Sequence, residues 1–423
     1  MSSATLCPLM WQHLNIHPDG YVSFCCFSDY TDTMNFAKDF DSNGKVIRIY
    51  NMNNGDKIQD VLNNSNHRAA RVQMMNNERP RACSRCFAEE DKGLPSRRTY
   101  ELNHHFPTFG EEHVHKITDS SGYIDDIKLS YPEVRLGTTC NVKCRTCDAG
   151  SSSLWQPEFL KLRDKVSFKI HNYNNIVTAD KSRWAEDPEF WIDLLNYSDS
   201  IEECSINGGE PTLIKTHFKF LNELIDRKLT HIKLRYNINM TNMSEDIIDI
   251  WKKFDNVEIA CSIDDIDTRN EYIRYPTKWD TVMKNFIRLK QENFKLIITQ
   301  TISFMNLSNV VEFYKLFAME HNVRVIHNFV HYPAYLSPTN LPVELRDKYI
   351  ADAAMYFRSE EHKGSADYKI DPNRANRFIA LGGKPPDETL WKQAVNFTTS
   401  LDEIRNQHIG DYLPEFKGII DVR

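Results

Sequence analysis

Between residues 130 and 335, short apolar runs rich in β-branched residues alternate with segments of helical period. The strand candidates are "EVRLG", "IEECSI", "IKLRYNI", "VEIACSI", "KLIITQTISF" and "VRVIHNFV". Between them lie helical segments such as "DPEFWIDLLNY", "KTHFKFLNELIDRKL", "SEDIIDIWKKF" and "TKWDTVMKNFIRLKQEN". Parallel strands need long crossovers, and a helix is the usual one, so this alternation predicts right-handed βαβ units and a mainly parallel sheet. Six candidates fall short of the eight strands of a closed barrel, which leaves a partial barrel or an open sheet. The flanks read differently. Residues 1–100 carry the strand-like pieces "GYVSFCCF" and "KVIRIYNM", a polar helix "DKIQDVLNNSNHRAARVQMMN" and half of the cysteines. Residues 101–129 are polar, rich in turn formers and lack helical histidine-ligand spacing, so they read as a linker. Residues 336–423 open with "LSPTNLPVELRDKYIADAAMYF" and read as a helical extension.

Composition narrows the function classes. The chain has 423 residues, is 41% hydrophobic and 26% charged, and carries a formal charge of −7. That is an ordinary globular composition with no overall basic footprint for nucleic acid. The start, "MSSATLCPLMWQHLN", lacks the basic and apolar regions of a signal peptide, and no apolar run reaches transmembrane length, so a cytoplasmic protein is expected. Ten cysteines in such a chain are expected to stay reduced. They are also clustered: positions 7, 25, 26, 83 and 86, then 140, 144 and 147, then Cys204 and Cys261 alone. Clustering of this kind points to metal, while the two isolated cysteines sit mid-strand as small core residues.

The segment "LGTTCNVKCRTCDAG" places Cys140, Cys144 and Cys147 directly after the first barrel strand, where parallel α/β folds carry their sites. A [4Fe-4S] cluster with three thiolates leaves one iron open to an external group; zinc completed by a distant residue is the alternative. In "CPLMWQHLNIHPDGYVSFCC" and "RPRACSRC", Cys7, Cys25, Cys83 and Cys86 supply four thiolates suited to structural zinc or to an iron–sulfur cluster.

Cys-x3-Cys-x2-Cys in this position resembles the signature of the radical S-adenosylmethionine (radical SAM) superfamily. The resemblance implies a partial (β/α)6 barrel and a [4Fe-4S] cluster on Cys140, Cys144 and Cys147. Its open iron would bind the amino and carboxylate groups of S-adenosylmethionine. Reductive cleavage then gives a 5′-deoxyadenosyl radical that abstracts hydrogen from substrate. "CSINGGEPTLI" resembles the family's GGE motif and implies that Gly208, Gly209 and Glu210 hold the methionine amino group. "LRYNINMTNM" resembles the segment that brings Asn239 and Thr241 to the cofactor. "ACSIDDIDTRNEYIRYP" is similar to the Ser-x-Asp and arginine of anaerobic sulfatase-maturating enzymes, which carries over Ser262 and Arg274, with Arg269 competing and Asp264 at ribose or capping a turn. One departure is Thr146, which stands where the family commonly has an aromatic residue packing near adenine.

The N-terminal cysteines, spaced Cys-x(9–15)-Gly-x4-Cys and then Cys-x2-Cys, resemble the twitch half of SPASM/twitch domains. This implies an auxiliary [4Fe-4S] cluster on Cys7, Cys25, Cys83 and Cys86, with Cys26 an extra thiol. In better-known members that domain follows the barrel; here it precedes it. The expected function is therefore radical SAM hydrogen abstraction, with net two-electron oxidation of a small molecule through the auxiliary cluster and an electron donor such as flavodoxin or ferredoxin. Peptide or protein modification is the alternative. A non-catalytic zinc protein whose basic stretch "KGLPSRRTYELNHH" touches nucleic acid is a further one. His327, Asn328, His331 and Tyr332 end the last strand near the expected substrate mouth, and no general base or covalent nucleophile stands out.

Overall fold

The structure, a computed structural model, describes residues 5–28, 34–104, 111–170, 183–363, 365, 367 and 371–420. The fold is α/β: β5 (Tyr131–Arg135), β6 (Glu203–Asn207), β7 (Lys233–Ile238), β8 (Val257–Ser262), β9 (Lys295–Ile302) and β10 (Arg324–Phe329) are the six strands of a partial (β/α)6 barrel. Each coincides with one of the six apolar runs. The N-terminal segment adds β1 (His13–Ile16), β2 (Val22–Ser23), β3 (Lys38–Phe40) and β4 (Val46–Ile49), and a helical region follows β10. The chain divides into two compact units, Met1–Thr138 with Val177–Tyr236 and Glu245–Val257, and Thr139–Ile176 with Asn237–Ser244 and Glu258–Arg423.

In the first unit the strand order is β2-β1-β5-β6-β7, antiparallel at β1–β2 and parallel elsewhere. The sequence reading missed β1. Its four residues, "HLNI", are too short and too mixed to stand out, yet Leu14 and Ile16 are fully buried beside β5. Register decides the two faces, because side chains alternate with period two. Leu14, Ile16, Val134, Cys204, Ile206, Leu234 and Tyr236 form a closed apolar face, and Tyr236 packs on Trp251 with ring centroids 4.8 Å apart. Ser23, Asn15, Glu133, Ser205 and Arg235 stand side by side on the other. In the second unit β8, β9 and β10 run parallel, with Cys261, Ile298 and Val325 buried. Cys204 and Cys261 are thus small core residues.

The stretch read as a linker carries two helices, Arg97–His104 and Glu111–Ile117. Val114 is fully buried and Glu101 forms an ion pair with Arg97. Of the basic residues ahead of it, Arg98 is turned inward: it is buried and bound to Glu90 and to the Leu6 carbonyl. Of the histidines there, His105 lies outside the described residues.

Arg71, on the helix Ser65–Met75, is the hub of the N-terminal segment. It is fully buried and donates to the carbonyls of Met10 (2.8 Å), Leu62 (2.6 Å) and Gly122 (3.1 Å) and to Asn63 Oδ1 (3.2 Å). Burial lowers its pKa to about 9, so it is still charged at neutral pH. Gly122 closes a turn at φ +79°, and a Cβ there would lie 2.3 Å from the Arg68 carbonyl oxygen. Arg71→Ala is expected to strand several buried carbonyls and to cost about 3 kcal/mol or more. A lowered denaturation midpoint of the cluster-loaded protein, with iron lost in the same transition, is the measurement.

Candidate metal centres

In the second unit the segment between β5 and the helix Trp155–Lys165 contains neither strand nor helix. Cys140, Cys144 and Cys147 pack together there with Val142. The loop is held by its neighbours. Lys143 N donates to Tyr275 O (2.8 Å) and Arg145 N to Ile273 O (2.7 Å), so both residues flanking Cys144 are pinned to the end of the helix Asp267–Ile273. Trp155 Nε1 donates to Cys144 O at 2.8 Å, and Ser152 Oγ to Val142 O at 2.6 Å. Asn239, just past β7, lies 3.9 Å through Nδ2 from Cys140 Sγ and donates to Asn141 Oδ1 (2.8 Å), while Asn141 donates to Thr241 Oγ1 (2.8 Å).

Arg274 is buried and donates to Asp264 Oδ2 at 2.9 Å. Burial pushes the Cys144 thiol up to about 11, against which Arg274 acts in the opposite direction. Burial also raises Cys147, with Cys144 adding to the shift. The competitor Arg269 is committed elsewhere, bound to Asp265 (2.8 Å) and to Glu415 (2.7 Å). Asp264 is fully buried, and its carboxylate accepts from Thr301 N (2.8 Å) as well as Arg274, a structural engagement. Ser262 ends β8 beside Thr299. His327 is buried against Phe378 and paired with Gln300 (2.8 Å), which makes it a core residue. Tyr332 is half-exposed and lines a cavity with Thr146, Cys147, Trp155, Phe159 and Tyr335.

The Gly-Gly-Glu run sits in the first unit at the end of β6. Gly208 has φ +130°, and a Cβ would meet Leu136 N at 2.5 Å, so only glycine fits. Gly209 N donates to Gly137 O at 3.0 Å. Glu210 is buried, and its Oε1 accepts from Thr212 N (3.1 Å) and Thr212 Oγ1 (2.6 Å), capping the short turn Pro211–Leu213.

Four cysteines of the first unit meet at one cavity. Cys7, Cys25, Cys83 and Cys86 line it with Leu9, Phe27, Met74, Arg97 and Arg98. Cys7 precedes β1, Cys25 follows β2, Cys83 caps the helix Ser84–Glu90 and Cys86 lies within it. The turn at Gly20, φ +84°, reverses the chain between β1 and β2, and a Cβ there would lie 2.5 Å from Asn51 Oδ1. Cys26 does not line the cavity; burial and then the Glu133 carboxylate push its thiol up to about 12.

Residues 134–317 match the radical SAM superfamily, and residues 7–87 match SPASM, an iron–sulfur cluster-binding domain. The chain carries a radical SAM core behind a SPASM domain. No curated protein matches it. Among solved structures, native anSMEcpe with bound AdoMet is 16% identical (TM-score 0.34), covering 58% of this chain and 62% of that one. Streptococcus suis SuiB bound to S-adenosylmethionine is 16% identical (TM-score 0.37), covering 70% and 64%. TYW1 with a lysine-pyruvate adduct is 14% identical (TM-score 0.29), covering 52% and 71%. The chain thus spans less than two thirds of the length of the first two.

The two domain types imply [4Fe-4S] clusters and S-adenosylmethionine, and the donor chemistry fits. In the SPASM cavity Cys7, Cys25, Cys83 and Cys86 are all raised by burial, and Cys25 and Cys83 also raise Cys7; iron held there would relieve that cost by taking the thiolates as ligands. Among the described residues no three His, Cys, Asp or Glu side chains close on a single-ion site. Sequence reasoning missed Arg97 and Arg98 at the SPASM cavity. They lie in a stretch that reads as basic surface, and only the fold turns them inward. It missed Arg145 and Arg405 too, since nothing in the pattern ties a cysteine loop to a helix more than 240 residues later. Cys25→Ser is expected to lose about four irons and Cys26→Ser none, by iron and sulfide counting after anaerobic reconstitution.

Proposed function

We propose that this protein is a radical SAM enzyme that abstracts hydrogen from a small-molecule substrate, with net two-electron oxidation through the SPASM cluster. Bound together, the three-cysteine cluster and S-adenosylmethionine supply a 5′-deoxyadenosyl radical as the hydrogen acceptor. One observation carries the reading: the chain gathers an open set of three thiols in one unit and a closed set of four in the other. The first leaves a coordination position for a ligand, whereas the second favours a cluster with no external group.

The remaining site residues are assigned roles within this reading. Cys140, Cys144 and Cys147 hold the catalytic cluster, and Cys7, Cys25, Cys83 and Cys86 the auxiliary one. Gly208, Gly209 and Glu210, by the motif they match, hold the methionine amino group of the cofactor. Asn239 sits against Cys140 and fixes the loop edge. Ser262 and Arg274 contact the cofactor, Arg274 as the cation beside Cys144. The adenine packing that Thr146 does not supply comes from Tyr332 and Tyr335 across their shared cavity. No helix among the described residues is long and apolar enough to cross a membrane. Thiolate-held clusters suit a reducing compartment, the cytoplasm, with flavodoxin or ferredoxin as electron donor.

Peptide modification is the second reading. SuiB has been solved bound to the precursor peptide SuiA, and anSMEcpe with the Cp18Cys peptide. Anaerobic reconstitution is expected to give about eight irons, and about four in a Cys140/Cys144/Cys147→Ala variant. Reduced wild type should change its EPR spectrum on addition of S-adenosylmethionine and release 5′-deoxyadenosine; the variant should do neither. Wild type without iron, or without cofactor cleavage, would remove the enzyme reading.

A further inference from the structure

The superfamily match stops at residue 317, yet the residues that grip the cysteine loop most tightly lie beyond it. The helix Glu388–Arg405 delivers Asp402 and Arg405 to that loop. Asp402 is fully buried, as is Arg145, and the two form an ion pair at 2.5 Å. The same Asp402 Oδ1 accepts from Tyr272 Oη (2.8 Å), and Oδ2 accepts from Ile409 N (2.8 Å). Arg145 in turn donates to Gln407 Oε1 (2.9 Å) and to Tyr272 O (3.0 Å), with its guanidinium 3.6 Å from the centroid of the Tyr272 ring. Arg405 donates to Lys143 O (2.7 Å) and to Glu158 Oε2 through two nitrogens (3.0 and 2.8 Å). It also lies over the rings of Trp155 and Tyr275, 4.9 Å from each centroid.

These contacts bracket one ligand. Lys143 and Arg145 are the two neighbours of Cys144, and both are tied to the C-terminal helix as well as to the end of the helix Asp267–Ile273. Trp155, under Arg405, donates to the carbonyl of Cys144 itself. Phe397 of the same helix walls the cavity that Thr146 and Cys147 share. A segment with no ladder of its own needs such fixed partners, and buried charge pairs are unforgiving ones because neither member can relax into water.

We infer that the C-terminal helix is a working part of the radical SAM site: Asp402 and Arg405 are positioning residues that set where Cys144 holds the catalytic cluster. The inference rests on Cys140, Cys144 and Cys147 being cluster ligands. A helix that merely stabilises the chain would affect both clusters alike, whereas a positioning helix would affect one.

The full chain, reconstituted anaerobically, supplies its own control because the SPASM cluster is bound by the other unit. In Asp402→Asn and Arg405→Met, iron and sulfide are counted and EPR is recorded with and without S-adenosylmethionine. Cofactor binding is measured alongside. The SPASM signal should stay at wild-type intensity, while the catalytic signal shifts or falls and cofactor affinity drops about tenfold. Arg405→Lys, which retains the charge, should recover part of the affinity. Wild-type spectra and affinity in both Asp402→Asn and Arg405→Met would overturn the inference. So would parallel loss of both signals with no recovery in Arg405→Lys. Failure of the wild type to bind or cleave the cofactor would instead sink the functional reading, a separate outcome.

Discussion

The three-cysteine loop is the part of this molecule with the most to do and the least regular structure to do it with. To hold the cluster proposed for them, its thiols must converge, but its backbone makes no helix or sheet ladder, so its polar groups need partners from outside. Among these, the Arg145–Asp402 pair is fully buried. Removing two charges from water is costly, and Tyr272, Gln407 and the Ile409 N–H offset part of that cost with further hydrogen bonds to the pair. That requirement explains the sequence around the cysteines. Lys143 and Arg145 are long cations that reach past the loop, Trp155 donates back to Cys144, and Glu158 waits on the next helix to receive Lys143 and Arg405.

The N-terminal centre is built by a different logic. Its four thiols come from three places in the chain, each shaped by a local element: the turn at Gly20 before Cys25, the short helix at Cys83 and Cys86, and the helical turn Leu9–Gln12 after Cys7. Arg71 secures that frame by gathering carbonyls from three distant segments into one buried fork. A closed four-thiol set suits a cluster that handles electrons or supports structure, and an open three-thiol set suits one that handles a substrate-like ligand. The two units thus divide the two chemistries expected of a radical SAM core with a SPASM domain.

Legibility in the sequence followed how local each signal is. The six strands were readable because each is an apolar run of the right length, and the metal-site candidates were readable because cysteines are rare and closely spaced. β1 was not, because a four-residue strand has too few residues to show a period. His327 looked like a mouth residue because it ends a strand, but its neighbour across the sheet is Gln300 and its surroundings are Phe357 and Phe378, so it faces the core. Asp264 read as a ligand contact or a turn cap, whereas its carboxylate joins the backbone of β9 to Arg274. The arginines of the stretch read as basic surface turned inward because Glu90 and Glu101 were there to receive them.

The sequence by itself determined the chemistry: which thiols exist, how they are grouped, the alternation that makes a parallel sheet, and the glycines without which the turns at 20 and 208 cannot form. Those are properties of residue type and short spacing, which local sterics and ligand preference fix. Tertiary structure alone decided which face of each strand is buried, which of Arg269 and Arg274 is free of the Glu415 carboxylate, and that a helix ending at Arg405 grips a loop at Cys144. Such choices depend on packing between segments far apart in the chain, where burial selects the partner and no local pattern records it.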